Sequence, residues 1–306
     1  MPLQLSLFDA PEPPRSPGEV VVARGALAAE AMLLSRIDAL LSEARKNPGL
    51  LARPVRIVVP SWSLRLHVAA AIVRSRGRSA AGVVIQTLHA LAFEVLERAG
   101  EAAPRGMPLA DILAQRLART EPALRRGLDD LVDGYGAVVG TVRDLLDAGM
   151  EPVHAEAADE ALAADGPYAA TRAEVERARA LVRTVARTEA LMQGIGLGRV
   201  STLLRRAVEI LAADPERALP SRAILVHGFA DATGVATDLI QELLRLGAAL
   251  ILDHPPAGSG GAERAFTERF TERLAGVSRF VPAPPGDSPE PPRVERFEAV
   301  GSEAEV

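Results

Sequence analysis

Cysteine is absent from this sequence, and lysine is almost absent. With no cysteine among 306 residues, the chain cannot form a disulfide scaffold, a thiolate zinc site, a cysteine-bound iron–sulfur cluster or a cysteine nucleophile. The only lysine is Lys46, in the stretch Arg45-Lys46-Asn47-Pro48-Gly49, and all the other residues in the Lys+Arg count are arginines. A mechanism that requires a lysine must therefore use Lys46.

The chain also lacks a strong charge and a long apolar run. Its net charge of −5 excludes a basic protein that coats nucleic acid, so any DNA binding must come from a local patch. No stretch reaches the roughly 18 apolar residues of a membrane span, and the first residues do not resemble a signal peptide. With 48% hydrophobic and 25% charged residues, we expect a soluble, cytoplasmic protein without a membrane partner.

Short apolar segments alternate with helical patterns in two parts of the chain. Strands are predicted at 20–22, 55–59, 83–85, 223–226 and 248–252. Each is followed by a segment in which apolar residues recur at helical spacing. Strands that are separated by helices pair in parallel, with helices on both faces of the sheet. The sequence therefore predicts an α/β fold with a parallel sheet.

Between the third and fourth strands the pattern is almost entirely helical, with helices predicted at 109–120, 122–147, 168–192 and 199–212. Such an insertion is far too long for a loop and must be a subdomain. The predicted organisation is a flexible tail (1–18), a first α/β part (19–106), an all-helical insertion (107–219), a second α/β part (220–281), and a linker with the start of a following domain (282–306).

Three segments, in this order and spacing, resemble motifs of UvrD-like helicases. The segment IVVPSWS (57–63) lies where that family has a strand ending in a DNA-contacting loop. The segment QTLHALA (86–92) is similar to its T-[FL]-H-[AS]-L motif, and AILVHGFAD (223–231) lies where it has four apolar residues followed by D-E-x-Q-D. The resemblance covers about residues 19–306 and implies a RecA-like (P-loop NTPase-like) sheet, interrupted by a helical subdomain before the fourth strand.

The resemblance implies DNA contacts directly after the second and third strands. The candidate DNA-binding residues there are Ser61, Trp62, Ser63, Thr87 and His89. Hydroxyl groups and backbone N–H groups at such positions can hold phosphates. Trp62 has two interpretations: it stacks on a base of single-stranded DNA, or it is a half-buried anchor at the edge of the sheet.

Arginines on one face of the predicted helix 168–192 are further candidates for DNA contacts. Arg179 and Arg183 belong to this stripe, together with Arg172 and Arg187, because their spacing returns to nearly the same angle around a helix. Such a stripe can contact DNA phosphates. The alternative is a solvated face whose arginines form ion pairs with nearby carboxylates.

The departures from the helicase motifs concern ATP chemistry. A P-loop needs several glycines and a lysine around the phosphates, but the first strand is followed by ARGALAA (23–29), which has one glycine and no lysine. In the Walker B position His227 replaces the family's metal-binding aspartate, and Gly228 replaces its water-activating glutamate. We therefore expect no ATP hydrolysis and no catalytic, cofactor-binding or metal-binding residue in this segment.

An inactivated helicase-like region resembles the N-terminal part of AddB-type proteins. Gly228-Phe229-Ala230-Asp231 is similar to their G-F-x-D, and Asp231 is thus part of the degenerate Walker B position. The resemblance implies a role in double-strand break repair and recombination, single-stranded DNA and an AddA-like helicase subunit as partners, and a PD-(D/E)XK exonuclease domain after Val306.

The first residues carry a second resemblance, to the bacterial peptide that binds the sliding clamp. Its motif, Q-L-[SD]-L-F, is similar to QLSLF (4–8). In this interpretation Leu7 and Phe8 fill an apolar pocket, Gln4 forms a hydrogen bond, and Leu5 completes the motif. The alternative is that the peptide packs on its own domain.

Two other functions stay open on the sequence alone. The chain is an active nucleotide-dependent α/β enzyme with an unfamiliar phosphate loop, or it is a sliding-clamp adaptor without catalysis or a role on DNA. The missing lysine and carboxylates argue against the first. A metal site is a minor alternative at His227 and His254, which each follow a strand, although no two of the five histidines show metal-ligand spacing.

Overall fold

The computed structural model describes residues 18–77, 80–103, 107–163, 171–230, 232, 234–254 and 261–282. Six strands form one sheet in which all neighbours are parallel, in the order β3-β2-β4-β5-β1-β6. They are β1 (Glu19–Arg24), β2 (Val55–Val59), β3 (Val83–Thr87), β4 (Ala223–His227), β5 (Ala249–His254) and β6 (Arg279–Pro282). The predicted α/β fold with a parallel sheet is confirmed.

Helices cover both faces of this sheet. On one face lie α1 (Ala26–Lys46) and α2 (Trp62–Arg76), whose apolar residues form a core with alternate residues of the strands. A second core covers the other face and contains α3 (Leu88–Ala99), α9 (Val200–Ala213), α10 (Pro215–Ala218), α11 (Gly234–Arg245) and α12 (Gly261–Leu274). The central strand β2 is consequently buried along its whole length, which explains its unbroken apolar character apart from one arginine.

The helical insertion has a core of its own. It consists of α4 (Met107–Ala118), α5 (Pro122–Leu128), α6 (Gly134–Asp147), α7 (Ala155–Ala163) and α8 (Arg172–Gly194), and its core joins α4, α5, α6 and α8. The predicted insertion extended to residue 219 and thus included α9 and α10. Both of these helices instead pack in the core of the sheet, α9 against α3 and α11 and α10 against α3 and α9, so the separately packed helices end with α8.

Ion pairs join the insertion to α9. Arg199 at the start of α9, with a side chain only 3% exposed, donates to Asp147 at the end of α6, with 2.9 Å between Nη2 and Oδ1. Arg205 pairs with Glu151 and donates to the carbonyl oxygen of Gly149 at 3.1 Å. The insertion is therefore held to the α/β part by charge-assisted hydrogen bonds.

Two local features differ from the sequence-based prediction. The single helix predicted over 122–147 is broken between α5 and α6, where Asp133 adopts a left-handed conformation with φ 60° and the Tyr135 hydroxyl donates to Asp129 at 2.6 Å. The short strand β6 was not predicted at all. Among the described strands it lies at the edge of the sheet and pairs with β1 alone, and its sequence does not show the apolar character of a central strand.

A buried arginine lies beneath α3. Arg56, in the middle of β2, is 2% exposed. Its guanidinium donates to both carboxylate oxygens of Glu94 on α3, at 2.7 and 2.8 Å, and to Gln86 of β3 at 3.1 Å. Its Nε lies 3.4 Å from the carbonyl oxygen of Pro220, which precedes β4. This network joins two strands, one helix and the chain that returns from the insertion.

Replacing Glu94 by glutamine should destabilise the fold by about 3 kcal/mol, because it leaves the charge of Arg56 buried without a counter-charge. Urea unfolding followed by circular dichroism measures this loss. The matched control is Glu97→Gln on the exposed side of the same helix, which should stay within about 0.5 kcal/mol of the wild type. Equal stability of the two variants would contradict the importance of the network.

The same pair predicts a pH dependence. Burial favours the neutral form of Glu94, but hydrogen bonds from Arg56 and Arg98 outweigh it and lower the pKa of Glu94 below its usual 4.5. A lowered pKa in the folded state contributes stability that is complete above about pH 4.5 and is lost as the pH falls through the folded value. The Glu94→Gln variant should lack this part of the acid destabilisation.

Candidate functional site

The carboxyl ends of all six parallel strands lie at one edge of the sheet, which we call the carboxyl edge. In α/β folds this edge is where ligands bind. Five of the six strand ends carry candidate residues of the sequence analysis or their direct neighbours. These are Gly25 after β1, Ser61 after β2, Thr87 at the end of β3, His227 and Gly228 at β4, and Asp253 and His254 at β5.

The ends of β2 and β3 each lead directly into a helix with a hydroxyl cap. Ser61 accepts the backbone N–H of Leu64 at 3.2 Å and starts α2, and Thr87 accepts that of Ala90 at 3.2 Å and starts α3. β2 and β3 are neighbours, with Val59 opposite Thr87, so the two helix starts are one strand spacing apart, about 5 Å. Their partial positive charges favour an anionic ligand at this part of the edge.

The other candidates at these two strand ends are open to solvent. Ser63 in the first turn of α2 and His89 in the first turn of α3 are exposed. Trp62 is 60% exposed, so it is not the half-buried anchor that was one of its two interpretations. The structure thus brings Ser61, Trp62, Ser63, Thr87 and His89 to adjacent strand ends.

The sequence analysis missed Arg65, which lies one helical turn after Trp62. Its guanidinium carbon is 4.2 Å from the centre of the indole ring, and its Nε donates to the carbonyl oxygen of Ile85 in β3 at 2.9 Å. The i, i+3 spacing places both side chains on one side of α2. That spacing was the only available signal, and it does not reveal the hydrogen bond to β3.

At the end of β1 a glycine leads directly into the long helix α1. Gly25, with φ 91°, starts α1, and no side chain of the described residues caps that helix. Its backbone N–H donates to the carboxylate of Asp253 on β5, while burial raises the pKa of Asp253. The only lysine, Lys46, is the last residue of α1, about 30 Å from its start.

The end of β4 is closed by packing. His227 is 6% exposed, and its Nδ1 has no hydrogen-bond partner among the described residues. Burial lowers the pKa of His227, so the ring is neutral at pH 7. Gly228 has φ 83°, and a Cβ there would lie 2.2 Å from Cδ2 of Leu64 in α2. A side chain at position 228 would therefore require Leu64 to move and the backbone to keep a conformation that favours glycine.

Two more ionisable groups lie near His227. His67 of α2 and Glu30 of α1 form a bridge with 2.5 Å between Nε2 and Oε2, and both influence the pKa of His227, Glu30 upward and His67 downward. Within the described ranges, no group of three or more His, Asp or Glu side chains is arranged to hold a metal ion. The arrangement gives no support to the minor metal-site alternative.

The arginines of α8 lie in the insertion and are paired. Arg179 donates to Asp159 of α7, with 2.6 Å between Nε and Oδ1, and Arg183 donates to Glu121 at 3.0 Å. Both side chains remain about half exposed. Their charges are thus already offset by carboxylates of the insertion.

Several predicted residues lie outside the residues that the structure describes. These are Asp231 of the degenerate Walker B position, the clamp-binding candidates Gln4, Leu5, Leu7 and Phe8, and residues 283–306 of the predicted linker and following domain.

Comparison with known proteins does not assign the chain to a family. No protein-family model matches the chain, and no curated protein matches it. In the described part of the chain, none of the helices combines the length and the apolar character that a membrane crossing requires.

Replacing Gly228 by alanine should destabilise the protein by about 2 kcal/mol or more, because the new Cβ meets Leu64 in a backbone conformation that favours glycine. Thermal and urea unfolding measure the effect. Gly140→Ala is the control, since that glycine lies in α6 with open space around it and should gain stability in a helix. A neutral Gly228→Ala variant would contradict the prediction, because it would show that Leu64 and the backbone at position 228 adjust at little cost.

Proposed function

We propose that this chain is the catalytically inactive, helicase-like region of an AddB-type DNA repair protein, with a RecA-like sheet that binds single-stranded DNA and serves as a scaffold. Two features support the proposal. The three motif-like segments occupy the ends of β2, β3 and β4 in one parallel sheet, and the helical insertion lies between β3 and β4. That arrangement is what the resemblance to UvrD-like helicases implies.

The main support for the proposal is the difference in side-chain chemistry between two parts of the carboxyl edge. At β2 and β3 the edge offers hydroxyl groups, two helix N-termini, an exposed indole and a guanidinium. At β1, β5 and β4 it offers the Asp253 carboxylate, a neutral buried histidine and a glycine. The first set suits the phosphates and bases of a nucleic acid. In the second set, the carboxylate repels the phosphates of a nucleoside triphosphate, and the neutral histidine and the glycine offer them no positive charge.

The alternative of an active nucleotide-dependent enzyme is disfavoured by the same geometry. The phosphates of a nucleotide need several N–H groups and a positive charge. Here one N–H of the turn after β1 is already bonded to Asp253, and Lys46 lies at the far end of α1. Arg24 is the nearest sequence neighbour of that turn with a positive charge, so it is the residue to test for a substitute role.

The remaining parts of the proposal concern segments beyond the described residues. The peptide 4–8 is proposed to bind the sliding clamp, a partner subunit is proposed to be an AddA-like helicase, and the exonuclease is proposed to follow Val306. A chain that binds the clamp and no DNA would instead be the adaptor of the second alternative. Titration of a peptide of residues 1–18 with the purified clamp tests the first of these statements.

The first functional prediction is that the protein neither binds nor hydrolyses ATP, with or without single-stranded DNA. Isothermal titration calorimetry and a phosphate-release assay measure this. ATP turnover above background that disappears in an Arg24→Ala variant would overturn the prediction, because it would identify an alternative phosphate-binding residue.

The second functional prediction is that the protein binds single-stranded DNA weakly and with a measurable dependence on salt. An acidic chain can neutralise few phosphates, so log K should fall with log salt along a shallow slope, about −0.7 for each phosphate contacted. Fluorescence anisotropy of a labelled oligonucleotide at several salt concentrations measures this. No binding at low salt by the folded protein would leave only the scaffolding role.

The double variant Arg179→Ala/Arg183→Ala, measured in the same way, shows whether these two arginines contact DNA phosphates. Each phosphate contact that is lost lowers the slope of log K against log salt by about 0.7 for single-stranded DNA. A lower slope would show that the arginines of α8 contact DNA phosphates. An unchanged slope would show that these arginines stay in their ion pairs with Asp159 and Glu121.

A further inference from the structure

The indole of Trp62 is held on one side only. The guanidinium of Arg65 lies over the ring, 4.2 Å from its centre, and this guanidinium is itself anchored to β3 by the 2.9 Å hydrogen bond from Nε to the carbonyl oxygen of Ile85. At the same time the tryptophan is 60% exposed. A flat aromatic surface thus faces solvent at the carboxyl edge, in an orientation that a neighbouring strand determines.

Arg65 differs from the other arginines that were considered for DNA binding. Arg179 and Arg183 are paired with carboxylates, whereas Arg65 forms no ion pair with any residue that the structure describes. Its terminal N–H groups carry a positive charge beside the capped starts of α2 and α3, and no carboxylate in the described part of the chain pairs with it. A ligand that combines a flat ring with a nearby negative charge fits this pair of residues.

We propose that Arg65 is a positioning residue that holds Trp62 so that an unpaired nucleic-acid base stacks on the open face of the indole, while the adjacent phosphate lies near the guanidinium. The inference rests on the proposed function. It adds Arg65 as the residue that orients Trp62, and stacking on Trp62 is what would favour single strands over a duplex. In a duplex each base is already stacked and paired, so its face is not available to the indole. In a single strand the face is free, and stacking on an aromatic side chain tolerates any base.

Another role for Arg65 must be separated from this one. Its hydrogen bond to Ile85 also covers a carbonyl group on β3, which is an edge strand, and covering such groups protects sheets from unwanted pairing. A residue with only that role would affect stability or self-association. It would not affect the environment of Trp62 in a DNA complex.

The sole tryptophan of the chain makes the test direct, because Trp62 is the only residue that is excited at the red edge of protein absorption. A 20-nucleotide oligo-deoxythymidine should quench the emission of Trp62 in the full chain, over the concentration range in which a labelled oligonucleotide shows binding by anisotropy. A 20-base-pair duplex should bind at least about fivefold more weakly and leave the emission unchanged.

Three variants assign the effect to Arg65. Trp62→Ala should weaken binding of the oligonucleotide about tenfold. Arg65→Ala should weaken it about threefold or more and remove most of the quenching. Arg65→Lys keeps the charge but not the planar group, so it should recover part of the affinity and not the quenching. Arg74→Ala, the same change at an exposed position of α2, about 13 Å further along the helix, is the control and should change neither.

The outcomes distinguish this inference from the proposed function. Binding of the oligonucleotide without any change in Trp62 emission would overturn the stacking site and leave DNA binding in place. Full quenching by the Arg65→Lys variant, with wild-type affinity, would reduce Arg65 to a charge and overturn its positioning role. The absence of binding at low salt would remove the stacking site together with DNA binding and leave only the scaffolding part of the proposed function. The first of these results needs only the wild-type protein, so it does not depend on whether a variant folds.

Discussion

The buried guanidinium of Arg56 is the constraint on which the rest of the architecture depends. An arginine stays charged at any pH relevant to a protein, so its burial in β2 requires a counter-charge at a defined place. Glu94 supplies it from α3, and this holds the start of α3, with Thr87, at the end of β3. Its contact with the carbonyl of Pro220 also holds the chain where it returns to form β4 beside β2.

The chain itself fills part of the carboxyl edge that follows from this frame. β5 lies between β1 and β4, which separates their ends by about 10 Å. Asp253 at the end of β5 bonds to the turn after β1, and Leu64 packs where a side chain at position 228 would lie. Packing and an internal hydrogen bond thus occupy this part of the edge.

Most strands and helices could be predicted because their signals are local. The apolar runs of β2 and β4 and the helical spacing in α1 and α3 appear in the sequence and agree with the structure within a few residues. The misses have physical causes. The break before α6 depends on Asp133 in a left-handed conformation, and β6 is defined by its pairing with β1. The assignment of α9 to the sheet depends on its packing with α3 and α11.

The sequence by itself determined the parallel α/β class, the absence of thiol chemistry, the single lysine and the lack of carboxylates at positions 227 and 228, because these depend on residue identity and periodicity. The tertiary structure decided which of these residues meet. It set Asp253 of β5 against Gly25 after β1, and bonded Arg65 of α2 to Ile85 of β3. Both contacts join residues of different elements, and their geometry follows from the order of the strands, which no local pattern encodes.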